Sequence, residues 1–157
     1  MSDFELIAVR AHESLSKVLG TSVAPVTIEL HDSLDSFRYE TGRPWWVSAA
    51  VTGTTVDLAP EPLLVQREGV EMTVRTAMAE LLVSTALADR PVWTRVGAAR
   101  YFAHKTPPPP PSKPLTCPAD AELRMAVSAP AQREAEQRAE RCFAYAFART
   151  GDWKAVR

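Results

Sequence analysis

The chain has 157 residues, a formal net charge of −1, a hydrophobic fraction of 46% and a charged fraction of 24%. Its length suits one domain with a buried core, and its charge balance gives no general attraction to nucleic acid or to anionic lipid. No apolar stretch approaches the roughly 20 residues of a membrane-spanning helix. We therefore expect a globular protein with neither a nucleic-acid nor a membrane partner.

The N-terminal stretch MSDFELIAVRAHESL is charged and amphipathic, which predicts a helix and no signal peptide. The protein is thus expected to be soluble, and either cytoplasmic as written or secreted if a leader has been removed. Cys117 and Cys142 both lie in the C-terminal third. A disulfide between them and two unpaired thiols are equally open from the sequence.

The first half of the chain predicts a helix, a strand, a short helix and a β-hairpin. Gly20 closes the first helix, Ser33 caps the second, and Gly53 marks the hairpin turn. In chain order, these predicted elements span residues 3–19, 26–30, 33–40, 45–51 and 54–58.

Helices dominate the second half. A short helical piece at 60–64 precedes a long apolar helix over about 70–88, and Asp89-Arg90-Pro91 marks a turn before a second helix that reaches Phe102. A polyproline connector over 106–114 then leads to a C-terminal helix over 129–149 that is expected to pack on the core. Strands followed by helices indicate an α+β fold. We expect one domain over 1–157, with a small twisted, mostly antiparallel sheet packed on the central helix.

The two central helices carry a recognisable pattern. Val74–Leu82, VRTAMAELL, resembles the metal-binding helix of gluzincin-type zinc metallopeptidases, where the family has His-Glu-x-x-His. Pro91–Phe102, PVWTRVGAARYF, resembles that family's Trp-Leu-x-Glu-Gly-x-Ala-x-Tyr-Phe helix, whose Glu is the third ligand. The hairpin resembles the sheet of compact bacterial members. The resemblance covers roughly residues 4 to 103 and implies a metallopeptidase-like fold.

The resemblance also identifies what has changed. In the family, two His one helical turn apart hold zinc while the intervening Glu activates the metal-bound water. Here Thr76 and Glu80 stand at the two His positions, Ala77 at the catalytic Glu and Val96 at the third ligand. Only Glu80 is able to bind a metal, and one carboxylate does not make a site. We therefore expect no metal, no cofactor and no zinc peptidase activity.

Glu80 is the residue on which a new activity would depend. A carboxylate in an apolar pocket is a stronger base, because desolvation disfavours its charged form. We hypothesise that the emptied pocket has been repurposed or redesigned so that Glu80 abstracts a proton from carbon, as in a Kemp-type elimination on a flat aromatic substrate, with Thr76 donating a hydrogen bond. The expected pocket residues are Ala77, Leu81, Trp46, Trp93, Val96 and Tyr101.

Other interpretations stay open for the same residues. Glu80 is also suited to an ion pair with Arg75, Arg95 or Arg100, and a helical Thr such as Thr76 commonly bonds its own preceding carbonyl. The tryptophans are more often core residues than a binding wall. The alternative function is a catalytically inactive pseudo-peptidase that acts as a binding or scaffold module for a protein partner.

A hydrolytic triad is the remaining arrangement that the residues allow. His31 would combine with Asp32 or Asp57 and with Ser33 or Ser48. Neither serine lies in a nucleophile elbow. The run His31-Asp32-Ser33 is more typical of a strand end followed by a helix cap.

Overall fold

The computed structural model describes residues 2–23 and 25–157. The described residues contain helices and a three-stranded sheet, which confirms the α+β prediction. The chain forms two compact units, residues 1–82 and 83–157. The single domain expected over 1–157 stays a prediction. In the described part of the chain, no helix is both long enough and apolar enough to cross a membrane.

The first unit contains the sheet and four helices. Its first helix begins with a capping box, in which the Ser2 hydroxyl accepts from the Glu5 amide and the Glu5 carboxylate accepts from the Ser2 amide. It ends at Gly20, whose φ of +68° suits glycine. The elements are α1 Asp3–Leu19, β1 Thr27–Leu30, α2 Leu34–Thr41, β2 Ala49–Thr52, β3 Thr55–Leu58, α3 Glu61–Gln66 and α4 Val70–Val83.

The sheet is mixed, with strand order β1-β3-β2. β1 runs parallel to β3, and β2 runs antiparallel to β3 through a tight turn at Gly53, as the hairpin pattern predicts. Val56 and Leu58 of β3 are buried, and so is Phe37 of α2, the helix that packs against this strand. One face of the sheet therefore lies against the core of the first unit.

The segment Trp45–Ser48 differs from the sequence prediction, because the strand begins only at Ala49. The guanidinium of Arg67, at the end of α3, donates to the carbonyl oxygen of Trp45 at 2.8 Å and to that of Val47 at 3.3 Å. It also donates to the Ser48 hydroxyl at 3.1 Å. The segment is therefore held by an arginine side chain, and the prediction of a strand over residues 45–48 was wrong.

The central helix α4 is shorter than predicted and ends at Val83. Its side chains are buried in a nearly continuous run, including Val74, Ala79 and Val83. This explains why apolar residues occur all round the helix rather than along one stripe.

The second unit is helical. It contains α5 Val92–Ala103, α6 Asp120–Arg124, α7 Ala129–Thr150 and a final 3₁₀ turn, Trp153–Ala155. α5 begins directly after Pro91, as predicted, and α7 matches the helix predicted over 129–149. α5 packs along α7. The short helix α6 was not predicted, yet its Asp120 carboxylate accepts from the Val92 amide at 3.0 Å and so caps α5.

A disulfide joins Cys117 to Cys142 of α7, which decides the alternative left open by the sequence. The proline run 107–111 contains no helix or strand. Beyond it, the Thr116 carbonyl accepts from Arg138 of α7 at 3.4 Å. The segment after the prolines is therefore fixed to α7 by one covalent and one polar link.

Candidate functional site

The substituted motif positions of α4 make contacts typical of a helix interior. The Thr76 hydroxyl donates to the Met72 carbonyl at 2.8 Å, one turn earlier in the same helix. Ala77 is buried. The single hydroxyl proton of Thr76 is thus used inside the helix, as the alternative interpretation of this residue expected.

Glu80 is half-buried on α4, between the fully buried Ala79 and the buried Leu81. Its carboxylate is therefore flanked along the chain by two buried apolar residues. The role of Glu80 as a general base stays a prediction.

Trp46 lies in the segment that Arg67 holds. It is half-buried, and its ring meets that of Trp45 edge to face, with centroids 5.7 Å apart. A strand over these residues would place Trp45 and Trp46 on opposite faces of a sheet, but the strand begins only at Ala49 and the two rings are in contact.

In the second unit, Val96, which the resemblance places at the third-ligand position, packs against a buried core. Val96 and Trp93 pack against an apolar cluster formed by Val92, Leu123, Ala135 and Ala139. This cluster draws on α5, α6 and α7. The Val96 side chain therefore has a packing role that accounts for an aliphatic residue there.

Tyr101 belongs to an aromatic cluster in the same unit. Its ring lies 5.1 Å from that of Phe102, 5.4 Å from Phe143 and 5.6 Å from Phe147, measured between centroids. Such tilted and edge-to-face arrangements are favourable for aromatic pairs. Of the predicted pocket residues, Trp46, Ala77 and Leu81 lie in the first unit and Trp93, Val96 and Tyr101 in the second. A pocket formed by all of them stays a prediction.

Arg100, one of the arginines considered for Glu80, interacts with α7. Its guanidinium lies 3.5 Å from the Glu140 carboxylate and 3.8 Å from that of Glu136. His104 approaches the same Glu140 oxygen at 3.2 Å. These half-buried charges connect the end of α5 to the middle of α7.

The structure brings together one polar cluster in the first unit, centred on His31. This residue follows β1, and its amide donates to the Leu58 carbonyl at 3.0 Å, so the ladder between β1 and β3 continues to it. Its Nε2 lies 2.9 Å from Oδ1 of Asp57, and its Nδ1 lies 2.9 Å from the Ser36 hydroxyl. Oε2 of Glu29 is 3.9 Å from the same Nε2.

Sequence reasoning found only part of this cluster. It considered His31 with Asp57 but placed Ser33 or Ser48 beside them, whereas the residue in contact is Ser36. Ser33 is the cap of α2 and accepts from the Ser36 amide at 3.1 Å. The signal for Ser36 in the sequence was its position three residues after the cap Ser33. The first turn of α2 lies beside the end of β1, so Ser36 reaches His31.

No protein-family model matches this chain, and no curated protein and no solved structure is significantly similar to it. The resemblance to gluzincin-type metallopeptidases therefore stays a prediction from the motif spacing.

Proposed function

We propose that this chain is a metallopeptidase-like domain that has lost its zinc site and acts as a non-catalytic binding module. The observation that supports the loss of the zinc site is the packing of the partly buried Val96 against the cluster of α5, α6 and α7. If the resemblance gives the correct register, the valine at this position contributes to packing and offers no donor atom to zinc. The bond from Thr76 to the Met72 carbonyl supports the same conclusion for α4.

The absence of peptidase activity in this proposal is tested by assaying purified protein against a mixed peptide library, with added zinc and with a chelator. The parent is compared with Glu80→Gln and with a matched control, Glu71→Gln, which removes a carboxylate from the exposed first turn of the same helix. We expect no cleavage by any of the three. Zinc-dependent cleavage that Glu80→Gln abolishes and Glu71→Gln preserves would refute the proposal.

A second experiment examines the resemblance itself. The variant Thr76→His, Ala77→Glu, Glu80→His rebuilds His-Glu-x-x-His on α4, and two His one turn apart on a helix bind zinc. The test is made in a His31→Gln background, so that the polar cluster at His31 cannot supply a histidine ligand. In this background, we expect the rebuilt α4 to bind zinc and the native α4 not to bind it. A folded variant that gains none would show that these positions do not share one accessible face.

Glu80 supports a second candidate function, proton abstraction from carbon, because it is a half-buried carboxylate between the buried Ala79 and Leu81. In a Kemp elimination, the carboxylate would take the C3 proton of a benzisoxazole. The C=N bond would become a nitrile as the N–O bond breaks, and the oxygen would stay on the same molecule as a phenolate. A positioned general base contributes on the order of 10²–10⁴ in rate.

The second candidate predicts that Glu80→Gln lowers the rate of benzisoxazole opening by about 100-fold or more, while Glu71→Gln preserves it. Circular dichroism of both variants verifies that they are folded. Equal rates for the parent and for Glu80→Gln would eliminate the catalytic candidate and leave the binding module.

A further inference from the structure

We infer that Glu29, His31 and Asp57 form a binding site for a divalent metal ion of the zinc class. This inference concerns residues outside the motif of α4 and α5, so it is independent of the proposed function. The donor atoms of the three side chains all lie within 4.8 Å of one another. They include one imidazole nitrogen and two carboxylate oxygens, the N/O donor set that zinc accepts.

The sheet explains why these three residues meet. Glu29 and His31 are two residues apart at the end of β1, so their side chains point to the same face. Asp57 is the registered partner of Glu29 on the parallel strand β3. The amide of His31 is bonded to the Leu58 carbonyl, which keeps this residue in the ladder beyond the end of the strand. The backbone thus holds all three positions before any ion arrives.

The imidazole is oriented for a ligand role. His31 is only 8% exposed, and its ring packs edge to face on Phe37, with centroids 5.8 Å apart. The 2.9 Å contact between Nε2 and the Asp57 carboxylate is a hydrogen bond that Nε2–H donates, because a carboxylate only accepts. A metal ion would take the place of that proton: in the other tautomer, Nδ1–H donates to the Ser36 hydroxyl 2.9 Å away and the lone pair of Nε2 is available to an ion held by the two carboxylates. A hydrogen bond from the second ring nitrogen is the usual way in which proteins fix a metal-binding histidine.

The separations suit an ion of zinc size. Tetrahedral coordination with bonds of about 2.0–2.1 Å places donor atoms roughly 3.3 Å apart. Here Nε2 lies 2.9 Å from the Asp57 oxygen and 3.9 Å from the Glu29 oxygen, on either side of that distance. The Glu29 side chain is 60% exposed, and its exposure leaves a path from solvent. Imidazole favours zinc over magnesium or calcium, which prefer oxygen ligands alone.

The charges of the Glu29 and Asp57 carboxylates also favour a cation at this site. Two carboxylates converge on one imidazole, and a divalent cation would neutralise both of them. Three protein ligands would leave the fourth position of a tetrahedral ion to water. A purely structural role is the competing explanation, in which the bond between His31 and Asp57 only joins β1 to β3.

The test is a titration of the full chain, under non-reducing conditions, with Zn²⁺ in competition with a chromophoric chelator. We expect one ion per chain for the parent. The ligand variants Glu29→Gln and Asp57→Asn should weaken binding by about 10-fold or more, Ser36→Ala by about 10-fold, and His31→Gln should abolish it. Asp32→Asn is the matched control, since it removes the same charge beside His31 without removing a donor, and His12→Gln controls for binding by another histidine. Both controls should bind as the parent does.

A second readout separates coordination from nonspecific binding. In ¹⁵N-histidine spectra, zinc should shift the Nε2 resonance of His31 and leave those of His12 and His104 in place. Glu29→Gln keeps the test valid if His31→Gln does not fold, because Glu29 is exposed. Absence of binding to the parent, or equal affinity in the parent, Glu29→Gln and Asp57→Asn, would overturn the inference in favour of the structural role.

Discussion

Gly97 of α5 lies against the backbone carbonyl of Ala139 on α7 at a point where a methyl group has no room. A Cβ placed on Gly97 would stand 2.8 Å from Cβ of Phe143 and closer still to the Ala139 oxygen. Because the nearest obstacle is backbone, it cannot move aside as a flexible side chain would. Glycine is therefore what allows α5 and α7 to approach each other here.

Gly97→Ala should destabilise the second unit by about 2–3 kcal/mol, since overpacking outweighs the better helix propensity of alanine. Chemical denaturation measures the loss. Gln137→Ala, at an exposed position of α7, is the control and should change stability by no more than about 0.5 kcal/mol. A Gly97→Ala variant as stable as the parent would mean that α5 and α7 are not packed this closely.

Arg67→Gln should loosen the Trp45–Ser48 segment, because the variant loses the charged donor that binds two carbonyls and a hydroxyl. Burial lowers the pKa of the Arg67 guanidinium from its ordinary value, yet that group still donates all three bonds. We expect a loss of about 1–3 kcal/mol and faster amide exchange at Val47. Arg43→Gln, on the exposed turn before this segment, should leave both quantities unchanged.

The disulfide should contribute about 3.5 kcal/mol, from the chain entropy of a loop with a sequence separation of 25 residues. Cys117→Ser combined with Cys142→Ser should lower the free energy of unfolding by that amount. Reductant should destabilise the parent to the level of the double variant and leave the variant itself unaffected. A parent insensitive to reductant would contradict the pairing.

Glu122 should stabilise the protein in a pH-dependent way. Its hydrogen bond to Arg138, at 2.6 Å, lowers the pKa of the Glu122 carboxyl below its ordinary value of 4.5, assisted by the Ala119 amide. A lowered folded-state pKa gives stability that is present above the ordinary pKa and is lost as pH falls through the lowered value. Glu122→Gln should therefore be less stable than the parent above pH 4.5, and the difference should shrink below it.

The control for this pH effect is the same substitution in an Arg138→Gln background. This background lacks the Arg138 guanidinium, which is the main cause of the lowered pKa of Glu122. The stability difference between the Arg138→Gln variant and the double variant that adds Glu122→Gln should therefore lose most of its dependence on pH. Urea denaturation at a series of pH values measures both pairs. An unchanged dependence would assign the effect to another group.

Local signals predicted much of the fold. The bounds of α1 match their prediction because a capping residue and a closing glycine mark both ends. The start of α5 follows Pro91, and α7 agrees with its helical periodicity. Each of these signals lies within a few residues of the feature that it determines.

The features that the sequence did not predict depend on contacts between residues that are distant in sequence. The segment 45–48 has the pattern of a strand, but Arg67 binds its carbonyls. The helix α6 is too short for periodicity to reveal it, and its Asp120 acts on Val92, 28 residues earlier. The cluster at His31 depends on the parallel pairing of β1 with β3, which strand patterns alone do not specify.

The disulfide also determines what happens if the chain is cut. Met125 and Val127 are 74% and 89% exposed, and they lie between Cys117 and Cys142 in the short connection that joins α6 to α7. A protease that cleaves there would leave two fragments that stay covalently attached. Such a nicked protein would migrate as a single species on a denaturing gel until a reductant is added. A cut within residues 107–111 lies outside the loop that the disulfide closes. The two fragments would then migrate separately on a denaturing gel even without reductant.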